Sequence, residues 1–296
     1  MTYMIGLFGG FDQAKFNRDF RPGFGIEACM FPSEDDLIRL KDAAKTYKFK
    51  WGAHFPLIND HEQYRDPMIT STNKAVRRHA YDRIERDCAL VACYGGRYLL
   101  IHGPKPNLIP SGFPIDCWKF DGPREYVYIK QPQDVDTMMD LMAQAIKHLG
   151  SIAQKHDTDI YIEQDIIPSG VEAAAFEELF ANTKRVYLCV DIARLYLQSI
   201  VDPAFDPIAF AAAVAPVTRH IHLWNAIPGT DLYHMPIMPN QSPKDGWADI
   251  AKYAAVMKAN DLQAQSILFE HMSEALTDQE LQQCYDYAVS LFEQPK

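Results

Sequence analysis

DVDTMMDLMAQAIKHLGSIAQKHDTDIYIEQ, residues 134–164, changes periodicity part-way along. Up to His156 the apolar residues recur at helical spacing. From Asp159 to Gln164 they form the near-continuous run of a strand covered on both faces. The same kinds of element recur along the chain. The strands read as YMIGLF (3–8), FGIEACM (24–30), KWGAHFP (50–56), RYLLIHG (97–103), DIYIEQ (159–164), VYLCVDI (186–192), HIHLWN (220–225) and SILFEH (266–271). Helical patterns cover 33–47, 71–94, 134–156, 247–260 and 274–294. The first of these opens on Ser33 as N-cap and puts Leu37, Leu40 and Ala44 on one face. Alternating strands and helices predict a parallel sheet, and eight repeats predict closure. The expected fold is therefore α/β, one (β/α)8 TIM barrel spanning 1–296. Its weakest unit is FDQAKFNRDFRPG, which is short and broken by Pro22 and Gly23.

Two inserts exceed an ordinary loop. One is 104–133 after strand four and the other is 226–246 after strand seven. In a barrel, both border the mouth where active sites lie. The chain has 296 residues, 48% hydrophobic and 23% charged, and a formal net charge of −10. That balance suits a small-molecule ligand better than a phosphate backbone, so no nucleic-acid partner is expected. The opening MTYMIGLFGG lacks a basic region followed by a long apolar stretch. No run reaches the roughly 18 apolar residues of a membrane span. Six scattered cysteines with no CxxC pair read as reduced, small core residues, and the expected location is cytoplasmic.

Six strands carry an ionisable or metal-binding side chain near their C-terminal ends: His54, His102, Glu163, Asp191, His222 and Glu270. Strand alternation puts Tyr161, Tyr187, Cys189 and Leu268 below them on the barrel axis. It turns Ile162, Val190, Leu223 and Phe269 towards the helices. Any one of the polar residues alone reads as a helix cap or a satisfied core group, and His220 is best read as the latter. Together they differ, because three facing carboxylates without a cation repel or take up protons. A divalent ion resolves that conflict.

The endings HFPL, LLIHGP, YIEQD, CVDIARL, HIHLWNA and ILFEH resemble those of the xylose isomerase-like TIM-barrel superfamily. That group includes ketose 3-epimerases, hydroxypyruvate-type isomerases, sugar dehydratases and endonuclease IV. The resemblance runs along nearly the whole chain, on motifs of a few residues each. It implies that Glu163, Asp191, His222 and Glu270 bind one divalent metal (Mn, Mg, Co or Zn), with Glu163 and Glu270 as the proton-transferring pair. His54 and His102 resemble residues that hold a second metal or line the substrate pocket. His234 in DLYHMP matches a site histidine, and Asp231 an acid beside it.

The implied reaction is isomerisation or epimerisation of a small sugar, ketose or hydroxy-keto compound through a metal-stabilised enediolate. Dehydration on the same scaffold and cleavage of abasic DNA are the alternatives. Members often pair, so a homo-oligomer is left open. Arg194 departs from the pattern, because many members carry histidine three residues after the strand-six aspartate. A guanidinium does not ligate metals, which argues against a trinuclear centre. Arg194 reads equally as a substrate-binding group or as a salt-bridge partner of a strand-end acid. Lys105 reads as charge at the mouth or an exposed loop lysine, and Trp224 and Trp51 as sugar-stacking walls or as residues that pack under loops. Phe8, Phe55 and Trp118 share that ambiguity.

Overall fold

The computed structural model describes residues 1–59, 62, 64–118, 120 and 122–293, with the side chain of Cys117 set aside. Eight parallel strands close on themselves: β1 (Thr2–Phe8), β2 (Gly25–Phe31), β3 (Trp51–Ile58), β4 (Tyr98–Gly103), β7 (Asp159–Gln164), β8 (Val186–Asp191), β9 (Thr218–Leu223) and β10 (Ser266–Phe269). Each predicted strand is present, with ends within a few residues of expectation. The remaining two strands, β5 (Asn107–Ile109) and β6 (Tyr126–Tyr128), pair with each other in the segment after β4.

The helices form the outer layer. The short first unit does fold, as α1 (Gln13–Asp19), because Asp12 accepts hydrogen bonds from the Ala14 and Lys15 amides. Ser33 stands at the N-cap of α2 (Glu34–Tyr47), but its side chain makes no capping bond. The last helix, α9 (Asp278–Phe292), starts from a reciprocal Thr277–Glu280 capping box.

Alternation divides each strand between two cores. The residues facing the helices, among them Ile162, Val190, Leu223 and Phe269, join Leu37, Leu40 and Leu149 in one large cluster. The barrel interior is a separate cluster of Met4, Tyr98, Leu100, Tyr161, Cys189 and Leu268. Tyr98 and Tyr161 stack there with centroids 4.4 Å apart. Gly52 makes room for this floor, since a Cβ at that position would meet the Tyr98 ring at 2.2 Å. Trp51 and Phe55 belong to the helix-facing layer and are buried. They cannot be sugar-stacking walls, because odd positions of β3 point away from the barrel axis. Cys29, Cys88, Cys189 and Cys284 are buried as expected, whereas Cys93 is exposed.

Candidate metal centre and active site

Four successive strands deliver the expected acids and imidazole to one point. Ligand atoms of Glu163, Asp191, His222 and Glu270 all lie within 4.8 Å of one another. His222 Nδ1 is 3.1 Å from Glu163 Oε2 and 3.2 Å from Glu270 Oε2. Both oxygens of Glu163, Nδ1 of His222 and Oε2 of Glu270 are buried and make no hydrogen bond. Buried polar atoms are normally satisfied, so four convergent, unsatisfied electron-pair donors call for a cation. These side chains fit a divalent ion.

The electrostatics agree. Burial and the neighbouring Glu163 and Glu270 push the Asp191 carboxyl up to about 7. Burial also works to raise Glu270, but His222 and His234 outweigh it and hold that carboxyl at about 2. Glu163 is likewise buried, yet His222 and His102 keep it well below the usual carboxylate range.

Asp191 has two duties. It is the N-cap of α6 (Ile192–Val201), accepting the Arg194 amide at Oδ1 (3.0 Å), while Oδ2 accepts the Trp224 indole N–H at 2.8 Å. Trp224 is fully buried, which corrects its expected role as a substrate wall. It orients Asp191 instead, and the ring of His234 stacks on it at 4.1 Å. His234 itself is turned to the backbone. Its Nδ1 donates to the Glu270 carbonyl at 2.7 Å, and the ring borders the cavity. Asp231 is exposed and lies apart from that lining.

His54 and His102 stand beside this centre. Their Nε2 atoms are 3.2 Å apart, and His102 Nε2 is 3.3 Å from Glu163 Oε2. Together with Glu163 they form a second group able to hold a metal. On its far side His102 Nδ1 meets Asp66 Oδ2 at 2.8 Å, the carboxylate–histidine pairing that fixes the ring of a metal ligand.

Lys105 corrects another expectation. It is buried, and its ammonium meets Asp165 at 2.8 Å and Asp66 and Glu125 at 3.3 Å. It serves these acids rather than the mouth. Arg194 does reach the centre: Nε is 3.1 Å from Glu163 Oε1 and 3.4 Å from Asp191 Oδ2, and Nη1 is 3.5 Å from Asp165.

Several site residues were missed in the sequence. Glu27, on the inward face of β2, is buried with Oε1 3.4 Å from His222 Nε2 and Oε2 3.3 Å from His220 Nε2. Tyr98 donates to it at 2.7 Å. An acid inside GIEACMF was the available signal, since an apolar strand carries such a residue only when it is paired. His220 is the core histidine expected, joined to Ser266 Oγ at 2.7 Å. Asp66, Glu125 and Asp165 gave no comparable signal, because each lies in irregular chain.

A cavity of about 500 Å³ opens above the centre, lined by Phe8, Lys15, His54, His102, Arg194, Glu270 and His271 among others. Phe8 is exposed there.

No protein-family model matches the sequence, and no curated protein matches it. Solved structures do resemble it. A D-tagatose 3-epimerase-like protein superposes with a TM-score of 0.64 at 14% identity, covering 98% of each chain. The 3-keto-D-glucoside 4-epimerase of E. coli gives 0.60 at 14% identity, over 97% of this chain and 98% of that one. A protein of Thermus thermophilus, described as soaked with ZnCl2, gives 0.63 at 15% identity and covers 100% of both chains. The barrel expected from the strand endings is thus the fold of this chain, and solved structures described as epimerases share it.

Proposed function

We propose that the protein is a divalent-metal-dependent isomerase or epimerase of a small sugar, ketose or hydroxy-keto compound. The observation that carries this reading is the convergence of Glu163, Asp191, His222 and Glu270, the first, third and fourth with unsatisfied buried atoms, next to a cavity that Glu270 lines. The shared fold with proteins described as 3- and 4-epimerases supports it. A divalent ion held by these four residues would polarise a substrate carbonyl and stabilise the enediolate charge that develops as the neighbouring C–H proton leaves.

The chain's own groups do the rest. Glu270 is the carboxylate that reaches the cavity, with about a quarter of its side chain open (27%), so it is placed to take the substrate proton. Glu163 lies deeper, hemmed in by His54, His102 and His222, and is placed as its partner in return. Asp191 is fixed by Trp224 and its own helix amide and contributes charge without moving. His54 and His102 offer donors to substrate hydroxyls, or with Glu163 hold a second ion.

Metal content of protein purified without chelator, followed by deuterium uptake into a ketose and hydroxy-keto panel, tests the reading. Uptake at a carbon next to a carbonyl is expected. Loss of water from the labelled compound would assign a dehydratase on the same site. Absence of uptake together with nicking of an abasic duplex would overturn the proposal.

A further inference from the structure

Arg194 is the residue that sets this centre apart from the histidine pattern it resembles, and its position gives it a task. It lies three residues after Asp191 on α6, so the first helical turn brings its side chain back over the aspartate it follows. Nε stands 3.1 Å from Glu163 Oε1 and 3.4 Å from Asp191 Oδ2, the two carboxylates that converge on His222 with Glu270. Yet Nε is buried and hydrogen-bonded to neither, so the contact is one of charge without directional bonding. Nη1 reaches Asp165 at 3.5 Å, and the guanidinium carbon lies 5.8 Å from the Trp118 ring centroid. The group is thus anchored at its outer end while its inner edge touches two candidate metal ligands.

We propose that Arg194 is a built-in counter-cation: it holds Glu163 and Asp191 together in the metal-free protein and weakens the binding of a divalent ion to the same carboxylates. This rests on the metal centre proposed above. A guanidinium keeps its charge at all working pH values. An ion bound by Glu163 and Asp191 would share these two carboxylates with the guanidinium and so lie close to it, at about 5 Å for the estimate that follows. At that separation the repulsion between a unit and a double charge costs more than tenfold in affinity, even with the full screening of water. Conversely, without the ion the same guanidinium offsets part of the negative charge gathered at these carboxylates.

The test is calorimetric titration of Mn²⁺ into chelator-treated, dialysed wild type, Arg194→Gln and Arg194→Lys, with thermal melts of each metal-free protein. The glutamine variant is expected to bind Mn²⁺ at least tenfold more tightly and to melt at a lower temperature without metal. The lysine variant, which keeps the charge, should stay within about threefold of wild type. Mn²⁺ binding by Arg194→Gln that is equal to or weaker than that of a metal-binding wild type overturns the proposal and leaves the metal centre standing. A tightening shared equally by Arg194→Lys overturns it as well, since charge would not be the cause. A metal-free Arg194→Gln that melts higher than wild type removes the counter-cation role. If none of the three proteins binds Mn²⁺, the proposal and the metal reading fall together.

Discussion

Around Lys105, three carboxylates close on one ammonium, with Asp165 at 2.8 Å and Asp66 and Glu125 at 3.3 Å. On the Nδ1 side of His222, three other carboxylates meet, and the guanidinium that touches two of them does so from one edge. Both clusters are buried at the same end of the same barrel, yet their titration differs. Burial raises Asp66 and Asp165, but His102 and Lys105 outweigh it and both acids stay below their ordinary range. In the other cluster Asp191 is pushed up to about 7, Arg194 notwithstanding. The first group carries a cation of its own, an ammonium paired with all three acids. The second has only Arg194, at one edge, and on the function proposed above a divalent ion would supply the rest.

Exchanging the acids for amides is the strongest way to break this contrast. On the proposed function, Glu270→Gln and Glu163→Gln should each lower turnover about a thousandfold or more, since each would lose a proposed acid/base group and metal ligand. Deuterium-exchange rates measure the loss, and circular dichroism should show the fold kept. Near-normal activity in either variant removes that residue from the proton-transfer role.

The reverse holds at the other cluster, where stability rather than turnover is at stake. Lys105→Met leaves Asp66, Glu125 and Asp165 without their shared cation and should cost about 3–5 kcal/mol in denaturant unfolding. A cost below about 1 kcal/mol would show that the cluster is not held by its ammonium.

Adding or withdrawing the missing charge comes next in size. With free Mn²⁺ or Co²⁺ at a hundred times Kd, the native state gains about 2.7 kcal/mol, and chelation should remove it. Thermal melts with and without chelator read this as a drop of several degrees. An unchanged melting temperature in protein shown to bind the ion would contradict the placement of the ion in the native core.

The smallest effect is the dependence on pH. In metal-free protein the folded Asp191 keeps its proton up to about 7, whereas in the unfolded chain it ionises near its ordinary value of 3.8. Folding therefore binds a proton between those limits. The stability Asp191 contributes is complete below about pH 4 and is lost as pH rises through 7. Asp191→Asn, which cannot ionise, should gain on wild type by roughly 2 kcal/mol between pH 5 and 7, measured with chelator present. A gap between the two proteins that is flat across this range would show Asp191 to be ionised throughout.

How far the sequence could be read follows from the kind of information each residue carries. Ile162, Val190, Leu223 and Phe269 declared their outward direction through the period of two, and so fixed Glu163, Asp191 and His222 as inward. Trp224 and Lys105 deceived for the opposite reason. Each lies just beyond a strand end, where alternation no longer says which way a side chain points. Trp224 turned to bond Asp191, and Lys105 turned inward to acids from three separate segments. Glu27 was legible in principle, because an acid in a buried strand demands partners, but the partners could not be named.

The sequence by itself determined the barrel and the identity of the residues at its polar end. Both rest on local periodicity, which each segment carries without reference to the others. Only the tertiary structure decided the balance of charge. Lys105 finds Asp165 from 60 positions away in the chain, and Arg194 finds Glu163 across a strand boundary. Coulomb interactions depend on distances in space, and in a closed barrel those distances are set by which strands become neighbours.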